Sequence, residues 1–377
     1  MPSVSVLIPI YNNAQYLREC LDSVASQTLA DLEVICVNDG STDGSLDIMR
    51  AYEAADPRFT VINKPNSGYG ATLNVATAAA HGDYVTVLES DDAFPADACQ
   101  AMHEFCTSQD LDFCKADASI FFGDGDERTF TYLPATETEI CYREVFDASA
   151  DPGRYFARGG QPGMYRLSFL RGAGIVYHES PGATFQDTSF WAQVTFAAHR
   201  VRYLAKSCYL IRRDNPGSSE ADGSKVFTIN GEYDFVRERI DEMEGIDRQK
   251  CLVACSYFRF RNYCWSIGRI SPKFRRSFVQ RFAEEFRALD EAGELDRRYF
   301  APDELDTLHA IMADPDGYYS HEWELPGRVA QLEARLREAE ADRDRLRAEL
   351  DAVYASKRWR VSSSLASLVN KLRGRGQ

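Results

Sequence analysis

Short β-rich runs alternate with helical patterns through the first hundred residues, and a chain written this way folds into a mostly parallel sheet wrapped by helices. Strands are expected at residues 4–10, 32–37, 60–63 and 84–89, with helices at 14–26, 44–55, 71–80 and 97–108. In the first helix Leu17, Leu21 and Val24 fall on one face. Parallel strands of this kind gather their βα loops at the carboxyl edge of the sheet, where an open α/β fold binds its ligand.

Those loops exclude two common nucleotide sites. A dinucleotide fold places GxGxxG after the first strand and a P-loop places GxxxxGK[ST] there, whereas this chain has Pro9-Ile10-Tyr11-Asn12-Asn13. After the second strand comes Asn38-Asp39-Gly40-Ser41-Thr42-Asp43-Gly44. An Asx turn and an N-cap at Ser41, Thr42 or Asp43 account for all of it except Asp39, an acid at a strand end that can accept hydrogen bonds from a base or ribose. The segment from Asn66 to Asn74, with Gly68 and Gly70, opens the next helix; it reads either as an anion-binding helix entry or as a plain flexible one.

The strongest local signal is Leu88-Glu89-Ser90-Asp91-Asp92, where three carboxylates close a hydrophobic strand. Crowded acids repel one another and resist desolvation unless a cation joins them. A hard divalent ion bound by carboxylate oxygens and a diphosphate resolves that conflict; the bland alternative is an exposed turn with one Asp capping a helix.

In order and spacing these pieces resemble the family 2 glycosyltransferases of the GT-A fold. The resemblance rests on Ser5-Val6-Leu7-Ile8-Pro9-Ile10-Tyr11-Asn12, then residues 38–43, then Asn66-Ser67-Gly68 with Asn74, then Ser90-Asp91-Asp92, and extends over roughly residues 2–215. It implies an α/β GT-A nucleotide-diphospho-sugar transferase fold and an inverting, metal-dependent enzyme. The donor would be held by Pro9, Ile10, Tyr11, Asn12, Asp39, Asn66, Gly68, Asn74, Glu89, Ser90, Asp91 and Arg212. Asp39 would meet the uracil or ribose of a favoured UDP-sugar, and Asp91, with or without Asp92, would coordinate Mn²⁺ or Mg²⁺. Two positions depart from the family pattern: Glu89 replaces an Asp, and Leu73-Asn74 replaces an Arg-Asn pair.

Inversion needs a general base for the acceptor hydroxyl. The family supplies it as the Asp of a Glu-Asp pair ahead of a helix, and Gln186-Asp187 occupies that place, with Asp187 kept and the Glu changed. Arg212 and Arg213, ahead of Gly217-Ser218-Ser219, stand where the family has a cation for the departing diphosphate. Gln161, Arg166, His178 and Trp191 are the candidates for a saccharide or lipid-linked acceptor, since sugars stack on aromatic faces and bond at their rims.

The organisation implied is a nucleotide-sugar half at 1–110, an acceptor half at 111–220, a helical extension at 221–325, a coiled coil at 326–355 and a basic amphipathic tail at 356–377. In the extension, aromatic and basic residues interleave over 257–265 and are expected to form a solvated face packed on the catalytic unit. Val329, Leu332, Leu336, Ala339, Leu346, Leu350 and Val353 keep alternating three- and four-residue steps, with Arg343 in the remaining seam position, which favours a homo-oligomer. The tail carries Lys357, Arg358, Arg360, Lys371, Arg373 and Arg375 without an acid, and suits either an anionic membrane surface or a disordered terminus.

A net charge of −15 argues against broad nucleic-acid binding. Ten cysteines without metal spacing, no leader pattern and no apolar run near the roughly twenty residues of a spanning helix place the expected site of action in the cytoplasm, peripheral to the membrane at most. Two rival readings are a nucleotidyltransferase, which lacks its Gly-rich basic first loop here, and a non-catalytic scaffold of a polysaccharide-synthesis complex.

Overall fold

The computed structural model describes residues 2–123, 125–136, 138–155, 162–216, 225–355 and 364–365. Met1–Ala313 form one compact unit and Asp314–Gln377 a second.

The first unit opens with β1 (Val4–Ile10), α1 (Ala14–Ala25), β2 (Leu32–Asp39), α2 (Ser45–Ala55), β3 (Phe59–Lys64), α3 (Tyr69–Ala79), β4 (Tyr84–Val87) and α4 (Ala98–Ser108). The strands lie parallel in the order β3-β2-β1-β4. Every residue of β1 is buried, as a strand covered on both faces must be. Its alternation divides the core: Val4, Val6, Ile8 and Ile10 pack with Leu17, Leu21, Met49 and Met102 on one side, while Leu7 joins Leu73, Ala76 and Trp191 on the other.

Beyond α4 the topology changes. It continues through β5 (Phe113–Phe122), β6 (Thr129–Leu133), α5 (Ile140–Arg143), β7 (Gly163–Arg166), α6 (Leu167–Gly172), α7 (Gln186–Ala197) and β8 (Val201–Arg212). The four-residue β7 wedges between β4 and β5, antiparallel to both; β6 is antiparallel to β5, and β8 runs parallel along β5's other side. The eight-stranded sheet is therefore parallel over β3-β2-β1-β4 and mixed thereafter.

Four helices complete the unit: α8 (Thr228–Glu242), α9 (Arg248–Ile267), α10 (Pro272–Glu291) and α11 (Pro302–Ala313). Here the expected solvated face over 257–265 is corrected. Phe258, Phe260 and Tyr263 are core residues packed with Phe278, Phe282 and Phe286. Arg259 is 4% exposed, its charge met by Asp234 at 3.1 Å and Glu285 at 3.0 Å. Burial of a guanidinium is tolerated because both carboxylates reach it.

The second unit contains α12 (Pro315–Tyr319), a π turn at Ser320–Glu324 and α13 (Leu325–Ala355). α13 is one unbroken helix of 31 residues with Val329, Leu332, Leu336, Leu346 and Leu350 all exposed. No described helix is long and apolar enough to cross a membrane. The basic tail lies outside the described residues, apart from 364–365.

Candidate active site

The loops that leave the carboxyl ends of β1, β2 and β4 are tied to one another by side chains. Asn12 adopts a left-handed backbone, φ 49°, which an Asn tolerates. Its Oδ1 accepts from the Thr42 N–H at 2.7 Å while its own N–H donates to Ser41 Oγ at 3.0 Å. Asn13 Nδ2 donates to Ser90 Oγ at 2.9 Å, so the β1 loop also grips the acidic turn after β4.

Within that turn the three acids have different surroundings. Asp92 is buried and accepts the Arg212 N–H at 2.7 Å, which ties the turn to the end of β8. Burial, then the charge of Asp91, push the Asp92 carboxyl up to about 8. Glu89 receives a hydrogen bond from Tyr69 at the start of α3, and burial again pushes it up to about 8 against that bond, with Asp92, Asp91 and Asp187 adding to the rise. Asp91 is half-buried and accepts from Asn215 Nδ2 at 2.8 Å. Two acids held protonated near neutrality mark a place where negative charge exceeds the local means of compensating it.

Asp39 is arranged in the opposite way. Its Oδ1 accepts the Ser67 N–H at 2.8 Å and its Oδ2 the Gly68 N–H at 3.0 Å, and the Lys64 ammonium pairs with it. The amides at the entry to α3 are thereby engaged inside the protein, and the Tyr69 N–H donates to Gly182 O at 2.9 Å. Gly68 has φ 94°, and a Cβ there would meet Ser180 O at 2.8 Å; at Gly70 a Cβ would stand 1.9 Å from His178 O. Glycine is required at both positions because a second backbone runs directly against the helix start.

That second backbone leads to Asp187. Residue 185 is a phenylalanine at φ 60°, a conformation bulky side chains rarely adopt and one that persists where surrounding structure fixes it. Asp187 follows in the first turn of α7, where the helix dipole favours an anion. Burial nevertheless pushes its carboxyl up to about 6, and Glu232 on α8 adds to the rise, while the backbone N–H of Thr188 and the Lys115 ammonium pull it down. The charge of Asp187 is felt by Glu89 and by the hydroxyls of Tyr69, Tyr165 and Tyr177, so it stands within electrostatic reach of the acidic turn.

Residues 5–169 match the model described as Glycosyl transferase family 2. Over that segment the chain is similar to the family 2 glycosyltransferases. EpsH of Bacillus subtilis (strain 168), whose name is that of a glycosyltransferase, is 44% identical over 101 residues, covering 27% of this chain and 29% of EpsH. Chondroitin synthase of Pasteurella multocida (strain Pm70) is 40% identical over 112 residues, 29% of this chain and 12% of that protein. The chain thus spans less than a third of the length of these two curated relatives. TarS of S. aureus, solved in complex with UDP-GlcNAc, matches with a TM-score of 0.66 at 20% identity over 87% of this chain and 92% of that one. That likeness is one of fold, and the fold is GT-A, as the motif order implies.

Against this family 2 frame, several expected contacts are corrected. Pro9 and Ile10 are buried within β1, so only Tyr11, 53% exposed, and Asn12 open onto the cleft. Asn66 is exposed with its N–H 2.7 Å from where a Cβ on Gly40 would lie, a packing contact between the loops after β2 and β3. Asn74 clamps the acceptor-side loop, accepting the Tyr177 N–H and donating to Tyr177 O, both at 2.9 Å, and to Glu179 at 3.0 Å; it is not presented to a donor. Arg212 is buried between the rings of Tyr16 and Phe121, with Glu19 at 2.5 Å and Asp214 at 3.2 Å. Its charge is compensated where it stands, and it braces the acidic turn.

The acceptor candidates separate further. Arg166 pairs with Asp110 over the Tyr84 ring, at the amino end of β4 and so at the sheet edge opposite the acidic turn. Trp191 is 2% exposed and packs on Phe113, a core position with its indole N–H unpartnered among the described residues. His178 lies near the cavity, stacked on Phe235 with Nδ1 2.9 Å from Glu232 Oε1. Gln161 and residues 217–219 fall outside the described residues. Reading of the sequence missed Tyr69, Asn215, Lys115 and Glu232. A lone lysine between Phe113-Cys114 and Ala116 was a usable signal; nothing local marks Glu232.

Proposed function

We propose that the chain is an inverting glycosyltransferase that moves a sugar from a nucleoside-diphosphate sugar, UDP-linked by preference, to an acceptor hydroxyl in polysaccharide or glycoconjugate assembly. The observation that carries this reading is the pairing of an acidic turn, two of whose carboxyls are driven up to about 8, with a separate carboxyl, Asp187, poised near 6 within electrostatic reach of it. A base with that poise is ionised at neutral pH yet can still take a proton.

Asp187 accepts the proton of the acceptor hydroxyl as its oxygen bonds to the anomeric carbon; the bond from that carbon to the diphosphate breaks, and the nucleoside diphosphate leaves with the electron pair from the opposite face. Among the described residues no three His, Cys, Asp or Glu side chains form a ready metal cage. A site of one carboxylate completed by the donor's own phosphates fits the acids present, because Asp91 keeps an outer position while Asp92 is tied to β8. Asp91 would thus hold Mn²⁺ or Mg²⁺, which would supply positive charge to the departing diphosphate. Asn12 and Asp39 shape the nucleoside end. Both Asp39 oxygens accept internal bonds, and a carboxylate has about four acceptor sites, so capacity for one ligand donor remains. The likeness to TarS, solved in complex with UDP-GlcNAc, and the similarity to a chondroitin synthase support the donor and acceptor classes.

The exposed heptad of α13 supports pairing with a second copy, measured by light scattering with and without Leu336→Asp. The basic tail supports contact with anionic lipid, measured by flotation with and without residues 357–377. The enzymatic reading is tested by transfer from UDP-, GDP- and dTDP-sugars with Mn²⁺, following product configuration by NMR. Asp187→Asn is expected to lose transfer by about a thousandfold while still binding donor. Undiminished transfer in that variant overturns the reading.

A further inference from the structure

Lys115 is 2% exposed near the start of β5, between β7 and β8, in a strand otherwise apolar at that end. Burying an ammonium is costly unless a counter-charge or π face meets it, and an apolar side chain of equal length would fill the same space without that cost. The residue opposite it in β7 is Gly163, which leaves room above the sheet for a long stem. Its Nζ lies 4.7 Å from the centroid of the Trp191 ring, an attractive cation–π distance. Trp191 stands four residues after Asp187 on α7, so the two share a helix face. The ammonium therefore sits against the face of α7 that also carries Asp187.

We propose that Lys115 is the positioning cation of Asp187, holding that carboxylate ionised inside a wall that would otherwise keep it protonated. The inference rests on the reading of Asp187 as the base. The groups that face Asp187 are Tyr69 from α3, Glu89 beyond β4, Tyr165 from β7, Tyr177 from the loop after α6, Glu232 from α8 and Lys115 from β5. Of these, Lys115 alone brings positive charge. Burial pushes Lys115 down to about 7, and Asp187 pulls it back up. The pair is thus charged over the pH range in which the base becomes competent, and at higher pH the lysine neutralises itself.

Because the two groups bias each other, the coupling is reciprocal and is readable without catalysis. The full-length protein is labelled with [13Cε]lysine, the Lys115 resonance is assigned by its loss in Lys115→Arg, and its titration is followed by NMR. A midpoint near 7 is expected, falling by about one pH unit in Asp187→Asn, in line with the loss of a nearby opposite charge. A Lys115 midpoint that does not move in Asp187→Asn overturns the proposal, whatever that variant does in the transfer assay. The pH profile of kcat/KM adds a second readout. Lys115→Met and Lys115→Gln are expected to move the acid limb upward by about one unit and to converge with the parent above pH 8. Lys115→Arg, which keeps the charge, leaves the limb in place. An unmoved limb in a folded neutral variant, or failure of both neutral variants to fold, assigns Lys115 a structural role and rejects the proposal.

Discussion

Two acid sites lie on the same sheet edge and are solved in opposite ways. Asp39 is met by an ammonium and two backbone amides, so its charge is satisfied within the fold. Residues 89–92 gather three carboxyls, and two of these are forced toward protonation. The first arrangement stabilises a loop. The second leaves a deficit of positive charge, which is what a binding site for a cation and its diphosphate requires.

Substitutions can break this contrast, because the two sites should fail differently. Between these two sites the larger loss of transfer is expected from Asp91→Ala, which should cut metal-dependent transfer by about a hundredfold or more through loss of charge neutralisation. Its melting temperature without metal should stay level or rise, since Asp91 is one of the charges that disfavour ionised Asp92. Asp39→Asn should show the reverse, with stability falling by about 3 kcal/mol as a buried pair is broken, measured by urea unfolding. Equal loss of stability in both variants would erase the distinction drawn here.

A pH series sharpens the same comparison. Glu89 and Asp92 have folded-state values raised to about 8 from ordinary values near 4.5 and 3.8. A raised acid binds protons more tightly when folded, so its contribution to stability is complete below its unfolded pKa and is lost as pH rises through about 8. Metal-free protein should therefore melt several degrees lower at pH 8 than at pH 5.5, other titrations being matched in Asp92→Asn, which should flatten the slope. Saturating Mn²⁺ should restore the melting temperature at pH 8 and do little at pH 5.5, read by differential scanning fluorimetry. The smallest expected change is for Asn74→Ala, which should cost about 1–2 kcal/mol and raise KM for the acceptor more than for the donor, since the lost bonds hold residues 177–179.

The parallel half was legible in the sequence because its signals are local. Buried runs and helical spacing marked β1 to β4 and α1 to α4 within a residue or two at most ends, and the acids at strand ends were visible as such. The antiparallel wedge β7 was not legible, since four residues carry little periodicity and their pairing with β4 bridges about eighty positions. Side-chain roles fared by the same rule. Arg212 looked like a ligand for phosphate because its partner, Glu19, stands 193 residues earlier. Asn74 looked like part of a donor loop because Tyr177 is 103 residues away. Asp187 and the acidic turn were recognisable from motif order, yet the cation near one of them is defined by a contact between a strand and a helix.

Gly70 leaves no clearance between the start of α3 and the carbonyl of His178, and Asn74 latches the same two segments a turn later. The start of α3 and residues 177–179 consequently travel as one rigid piece. Any breathing between these segments must be accommodated elsewhere in the rim, and a change in the loop around His178 would have to preserve a missing methyl group on α3.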